Sequence, residues 1–482
     1  MKKLLFLILF KIVALSGHVY PAPAGVSPFA SNGTYAFTNV SVIPMDRKRI
    51  LRNRTVIVRD GVITKITKSK KMPKGAIVID GTGKYLLPGF IDMHTHLFSD
   101  YEFPDSLAED ELKIMVANGV TTTRLMIGVP EHLELRARSA AGEILAPTIY
   151  AASPQFAGRS FGDIYNGYVV ANEKQARESV RKAKAAGYDF IKLTFWISRT
   201  VYDAVIDEAG KNNIRVIGHV DAQVGIDRVF ETGQQIEHLD GYFEALIPKS
   251  SGSKISTSGV NVWNPKVWES IDLLDETKIP ELAEKSVKAN PYSVPTLTFL
   301  KLAFGVGQTD REIASRPDYR FLPKRIRDEM AGPRNAFWSK ARNPGEKRRM
   351  RYVELRNKIT KALHDAGGKI LAGSDAPEWF LLYGFTLHRE LESLSQAGLS
   401  NYAVLESTTR NPAEFFGAID KFGTVEKGKR ADLVLLESNP LANIANTKKI
   451  AGVMVKGNWL PKDEIDKMLD EIAPKFQTAF DK

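Results

Sequence analysis

The chain has no cysteine among its 482 residues. That excludes disulfide scaffolds, thiolate metal sites and a cysteine nucleophile. Without thiolate, a metal site must draw on imidazole, for which the chain has 8 histidines, on carboxylate or on a lysine-derived oxygen. Beyond the first residues no long apolar run exists, and no membrane span beyond the leader is expected. An even excess of basic charge is missing too. Of the net +11, +8 falls in residues 311–351 and +3 in the first 24, and the remainder balances. This is not the broad basic field of a nucleic-acid-binding protein, and no nucleic-acid partner is expected. Hydrophobic residues at 43% and charged residues at 26% match ordinary globular usage and exclude wholesale disorder. The length fits two or three domains, or one large barrel with additions.

The first residues read as a secretory leader. Lys2-Lys3 precedes the apolar run Leu4–Phe10, which Lys11 interrupts and Ile12–Leu15 resumes. Ala22-Pro23-Ala24 resembles a small-residue cleavage site, so residues 1–24 are expected to be a signal peptide and the protein periplasmic or secreted. A buried N-terminal strand or an uncleaved anchor is the alternative that Lys11 leaves open. Asn32, Asn39 and Asn53 head Asn-x-Ser/Thr triplets, which matter where the host glycosylates them.

Residues 34–80 hold short β-like runs: Tyr35–Val42, Thr55–Val58, Val62–Ile66 and Ala76–Ile79, with a hairpin signal at Arg59-Asp60-Gly61. Past Lys84 the pattern changes to apolar runs alternating with helical stretches, the mark of βαβ units. Eight runs qualify as strands: Gly89–His96, Val120–Leu125, Thr148–Ala152, Phe190–Thr194, Arg215–His219, Gln235–His238, Val294–Phe299 and Ile370–Asp375. Eight such units predict an α/β fold, a (β/α)8 TIM barrel over 85–419. Between the third and fourth runs, Asn172 as N-cap, Gln175 three residues on, and Gly187 as a stop bound a helix. Gly423-Thr424-Val425, Ala431–Leu436 and Gly452–Val455 are β-like again. They predict a small β-sandwich domain shared by 25–84 and 420–462, with a helical tail over 463–482. The stretch from His238 to Asp375 is overlong for two units, so a lid insertion is expected at about 245–360. Its basic 311–351 segment reads as a solvated helical face or as a lid meeting an anionic group.

His94-Thr95-His96 ends the first run, and residues two apart on a strand share a face. Two imidazoles there can hold one ion. Lys192, His219, His238 and Asp375 each end a further run. Barrel active sites are built from the C-terminal ends of several strands, so these six residues form the candidate site. His18, His132, His364 and His388 lie in the leader or in helical stretches and are expected to be surface, packing or capping residues. Tyr242, just beyond His238, and Arg159, in the loop after the third run, are the candidate substrate contacts.

Gly89-Phe90-Ile91-Asp92-Met93-His94-Thr95-His96, followed by strand-end Lys, His, His and Ser-Asp, resembles the metal-dependent amidohydrolase superfamily. So do Thr408-Thr409-Arg410-Asn411-Pro412-Ala413, the stretch Gly423–Val434, and Asn439-Pro440-Leu441. The resemblance covers about 34–460 and is nearest the imidazolonepropionase-like and Xaa-Pro or Xaa-basic dipeptidase-like branch. It implies that His94, His96 and Asp375 hold one metal ion and His219 and His238 a second, with Lys192 bridging as a carboxylated lysine. Two divalent ions follow, zinc first by ligand type. The implied reaction is hydrolysis of a C–N amide bond in a small molecule, a dipeptide or an N-acyl amino acid, by metal-activated hydroxide. Asp375 would take the proton from the water and pass it to the leaving nitrogen. A cyclic amide, lactone or phosphoester substrate stays open because fold does not set substrate. So does a catalytically vestigial binding protein, and so does assembly into a homo-oligomer.

Overall fold

The computed structural model describes residues 33–69, 71–97, 107–160, 167–248, 270–324, 327–328, 345–377 and 381–478. The expected leader, Asn32, residues 250–259 and part of the basic segment lie outside the described residues. The runs after residue 33 form β1 (Thr34–Val42), β2 (Leu51–Arg59), β3 (Val62–Thr67), β4 (Ile77–Asp80) and β5 (Tyr85–Pro88). Asp60 and Gly61 both adopt positive φ, 48° and 75°, as the tight β2–β3 hairpin requires.

A parallel series follows: β6 (Phe90–Thr95), β7 (Val120–Leu125), β8 (Thr148–Ala151), β9 (Gln155–Ala157), β10 (Gly167–Val169), β11 (Phe190–Leu193), β12 (Arg215–Gly218), β13 (Gln235–Glu237), β14 (Tyr292–Val294) and β15 (Lys369–Ile370). The chain returns through β16 (Leu433–Leu436), β17 (Ile450–Val455) and β18 (Asn458–Pro461). These last strands join the first in one eight-stranded sheet of order β18-β17-β16-β5-β1-β2-β3, with β4 also on β1. Its buried face gathers Phe37, Val40, Val56, Val58, Leu433, Leu435 and Met454. Phe37 meets the Trp459 ring edge-on at 5.1 Å, so side chains from both ends of the chain share that core. Gly423-Thr424-Val425 is not a strand in this sheet, although Val425 N–H donates to the Pro44 carbonyl at 2.9 Å.

The parallel strands fall in two sheets, β6-β7-β8 and β10-β9-β11-β12-β13-β14-β15, in a TIM-barrel-like α/β fold. Parallel bridges Ala152↔Phe190 and Thr95↔Ala376 lie between the two sheets. The helix Glu173–Ala186 starts where Asn172 accepts from Gln175 N–H and ends at Gly187, φ 94°. The seventh and eighth strands differ from expectation. β14 stops at Val294, and Leu297–Ala303 is a helix because buried Glu390 accepts from the Leu297 and Thr298 N–H groups at 2.9 and 2.7 Å. β15 is two residues long, yet pairing with the β6 segment continues past it through Met93 N–H to Ala372 O and Asp375 N–H to His94 O.

The expected lid over 245–360 is interrupted by the scaffold itself. Helix Ile279–Ala289, β14 and helix Glu346–Asp365 lie inside that range, and the two helices pack on each other. Helix Lys462–Thr478 forms the tail.

Candidate metal centre

His94 lies in β6 and His96 just past it; Lys192 lies in β11. His219 and His238 each come one residue after β12 and β13, and Asp375 follows β15. The structure brings them together. One ligand atom each from His94, His238 and Asp375 lies within 4.8 Å of the others. The Nε2 atoms of His94 and His96 stand 3.3 and 3.2 Å from Asp375 Oδ1. His238 Nδ1 is 3.5 Å from Asp375 Oδ2, and the His219 ring stacks on His238 at 4.8 Å. Lys192 is buried within the electrostatic reach of Glu237, Asp375 and Asp240.

The backbone turns sharply to achieve this. His238, Leu239, Thr296 and Asp375 all have positive φ, 58°, 56°, 43° and 59°, a conformation that costs non-glycine residues of order 1–3 kcal/mol each. Hydrogen bonds hold the bends. Arg356, buried in helix Glu346–Asp365, donates to the carbonyls of His238 (2.6 Å) and Pro295. Asp92 Oδ1 accepts from Ser374 N–H at 2.9 Å and His94 N–H at 3.2 Å, joining the ends of β6 and the β15 segment. Close approach requires glycine at 373, where a Cβ would lie 2.7 Å from His94 Cβ.

Three site histidines are anchored through Nδ1: His94 by Glu237 Oε2 (2.6 Å), His219 by Asp240 Oδ2 (2.7 Å) and His238 by Thr296 Oγ1 (2.8 Å). Such outer partners orient metal-binding imidazoles. Burial lowers His94 and His238 well below the ordinary histidine pKa, and Lys192 adds to the effect on both. They are neutral donors at pH 7. Burial brings Lys192 down to about 8. For Asp375, burial pushes up, but His94, His96 and Lys192 outweigh it and hold the carboxyl below its usual value. Burial raises Asp92 to about 7.

The donor set fits a metal. A carboxylate only accepts, so the His94 proton sits on Nδ1 and Nε2 keeps its lone pair. That lone pair then faces another acceptor, Asp375 Oδ1, at 3.3 Å in a buried space. Two such atoms repel unless a cation lies between them. Donors roughly 2.0–2.2 Å from a tetrahedral zinc stand about 3.4 Å apart, which the 3.3 and 3.2 Å separations of the His94 and His96 Nε2 atoms from Asp375 Oδ1 match.

The other candidates fare differently. Tyr242 is buried, its hydroxyl bonded to Ser286, and burial lifts it to about 12. The structure thus corrects its reading as a substrate contact to a packing role. Arg159 is exposed and lies over the Trp196 ring at 4.0 Å, and the neighbouring Phe195 ring packs on His219 at 4.5 Å. His388 is buried between Thr447 Oγ1 (3.0 Å) and the Asn118 carbonyl (3.1 Å), a packing histidine as expected. Described charges of the basic segment are engaged within the protein: Arg348 with Asp272, Arg351 with Glu276 and Arg320 with Asp470, all at 2.7–2.9 Å.

Sequence reasoning missed Arg124, Glu237, Asp240 and Arg356. Glu237 and Asp240 flank His238, and Gln235 and Glu237 are two apart on β13, a face-sharing signal that could have been read. Arg356 lies 118 residues from the carbonyl it holds, and no local pattern marks it.

The sequence matches the model of the amidohydrolase family over residues 85–297 and 320–460. The chain belongs to the amidohydrolase family. It is a hydrolase acting on carbon–nitrogen bonds. Its structural neighbours include a Bifidobacterium longum protein provisionally described as a prolidase, 25% identical, TM-score 0.66, covering 92% of this chain and 99% of that one. A bottromycin amidohydrolase is 22% identical with TM-score 0.68, covering 92% and 90%. A Xaa-Pro dipeptidase with bound methionine is 18% identical with TM-score 0.62, covering 89% and 100%. The branch agrees with the motif resemblance, and the neighbours under 25% identity attest the fold. Curated relatives match over short stretches. The dihydroorotase of Thermoanaerobacter sp. (strain X514) is 55% identical over 42 residues, 9% of this chain and 10% of its own. The dihydropyrimidinase of Dictyostelium discoideum is 36% identical over 93 residues, 18% of each.

Proposed function

We propose that this amidohydrolase is a binuclear metallohydrolase that cleaves the amide bond of a dipeptide or an N-acyl amino acid outside the cytoplasm. The observation that carries the reading is the convergence of His94, His96 and His238 on the two oxygens of Asp375. His94, His96 and Asp375 would hold one ion and His219 and His238 a second, zinc first by donor type. At a lysine pKa of about 8, roughly a tenth of Lys192 is free amine at pH 7. That is the form that adds CO2, loses a proton and becomes an anionic carbamate able to join two ions.

Bound divalent ions would supply an acidified water and a Lewis acid for the scissile carbonyl. Asp375, ionised in the apo site, accepts the water's proton and returns it to the leaving nitrogen. The imidazoles of His94 and His238 stay neutral, fixed by Glu237 and Thr296. Arg159, exposed beside Trp196 in the loop after the third strand, is the group proposed to meet a substrate carboxylate.

The short matches to enzymes whose names denote reduced pyrimidine rings favour a cyclic amide as the second reading. One experiment separates them: metal analysis of the purified protein, then a screen of dipeptides and N-acyl amino acids beside dihydropyrimidines, each with and without chelator. About two ions per chain and chelator-sensitive dipeptide or N-acyl hydrolysis is expected. No metal after reconstitution, or hydrolysis that ignores the chelator, overturns the proposal.

A further inference from the structure

A buried ion pair lies beneath the candidate centre. Arg124, on β7, has no exposed surface. Its Nε donates to the Met93 carbonyl (2.6 Å), Nη1 to Gln235 Oε1 (2.9 Å) and Nη2 to Glu237 Oε1 (2.6 Å). Its guanidinium rests on the Phe415 and Phe190 rings at 5.3 and 5.8 Å. Glu237 is equally buried, and its other oxygen, Oε2, accepts from His94 Nδ1 at 2.6 Å. Three strands, β6, β7 and β13, are thereby tied through one carboxylate.

A stability role alone explains this poorly. Removing two charges from water costs several kcal/mol per ion, and apolar replacements of buried pairs are often neutral or stabilising. A carboxylate with one oxygen fixed by a guanidinium and the other aimed at a ring nitrogen has a definite chemical effect. It leaves the imidazole one tautomer and one orientation.

The geometry points to Glu237, held by Arg124, as the positioning residue that locks His94 in the Nδ1–H tautomer and aims its Nε2 lone pair at the Asp375 side of the site. The inference rests on the proposed reading of His94 as a metal ligand. Lysine could not replace Arg124, since a single ammonium cannot reach Met93, Gln235 and Glu237 in the planar fork. Glu237 also directly precedes His238, so one strand end supplies both a candidate ligand and the anchor of another.

The test uses the full-length protein with 15N-labelled histidine, in the apo form, and a competition titration with zinc. In the unmutated apo protein the His94 resonances, assigned by their loss in His94→Gln, should show a protonated Nδ1 and a bare Nε2. Glu237→Gln keeps the reach and removes the charge; Glu237→Asp keeps the charge and shortens the reach. Both should move His94 out of the single Nδ1–H state and weaken zinc binding about 10–100-fold at one site. Arg124→Lys should do the same to a smaller degree. A His94 found protonated on Nε2 in the unmutated protein overturns the inference without any variant having to fold. Unchanged His94 signals and zinc affinity in folded Glu237→Gln overturn it as well. Should the unmutated protein bind no zinc, the proposed function fails, and the apo tautomer still decides the role of Glu237.

Discussion

The eight-stranded sheet and the mouth of the parallel strands are built to opposite rules. In the sheet, apolar side chains such as Phe37, Val56, Val58 and Leu433 meet in one continuous core. At the mouth, Lys192, Asp375, His94, Glu237 and Arg124 are buried together, and the backbone takes left-handed conformations at His238, Leu239, Thr296 and Asp375. The first region places left-handed residues such as Asn39, Asn53 and Asp60 at bulges and a hairpin turn, away from any buried polar cluster. The second sets them among buried charges and is held in place by Arg356, Asp92 and Glu237. The difference teaches that local rules fail together where chemistry is assembled.

Substitutions can break this contrast. The largest effect on activity is expected from Asp375→Asn, a drop in kcat/KM of about 10²–10⁴-fold with the thermal midpoint retained; steady-state rates and a melting curve check both. In the sheet, Phe37→Ala should do the reverse. It should cost about 3–5 kcal/mol in denaturant unfolding while zinc stoichiometry stays unchanged in the folded fraction. His388 tests the apolar surroundings. Burial lowers its pKa to about 3, against about 6.5 when unfolded. The unfolded state then binds more protons between these values, so stability is complete above about pH 6.5 and is lost as pH falls towards 3. His388→Gln should flatten that acid slope in melting temperature, and an unchanged slope would assign it elsewhere. The smallest change is Asn172→Ala, which removes the cap of Glu173–Ala186. It should cost about 1 kcal/mol in denaturant unfolding with no change in rate.

How much was legible follows the same divide. The hairpin at Asp60-Gly61 and the capped helix Glu173–Ala186 stood in the sequence because each depends on neighbours in the chain. The six candidate ligands were legible for another reason: they recur at the ends of apolar runs, whatever lies between. The seventh strand lies earlier than the run Val294–Phe299 suggests and the eighth ends sooner than Asp375, since Pro295-Thr296 and Ser374-Asp375 look strand-like but turn through positive φ at Thr296 and Asp375. The cause is tertiary, through Glu390 and Asp92, and leaves no local mark. Arg124 and Glu237 escaped for a similar reason. They lie on β7 and β13, 113 residues apart, and each alone reads as an ordinary charged residue.

Arg356 carries a practical consequence for anyone trimming this enzyme. The excursion between β14 and β15 invites deletion in search of a smaller catalyst. Yet its last helix, Glu346–Asp365, reaches back to grip the main chain at His238 and Pro295. A shortened protein that keeps every proposed ligand but loses this helix would lose the mould that shapes two of the strand tips, so the safe cut stops short of residue 346.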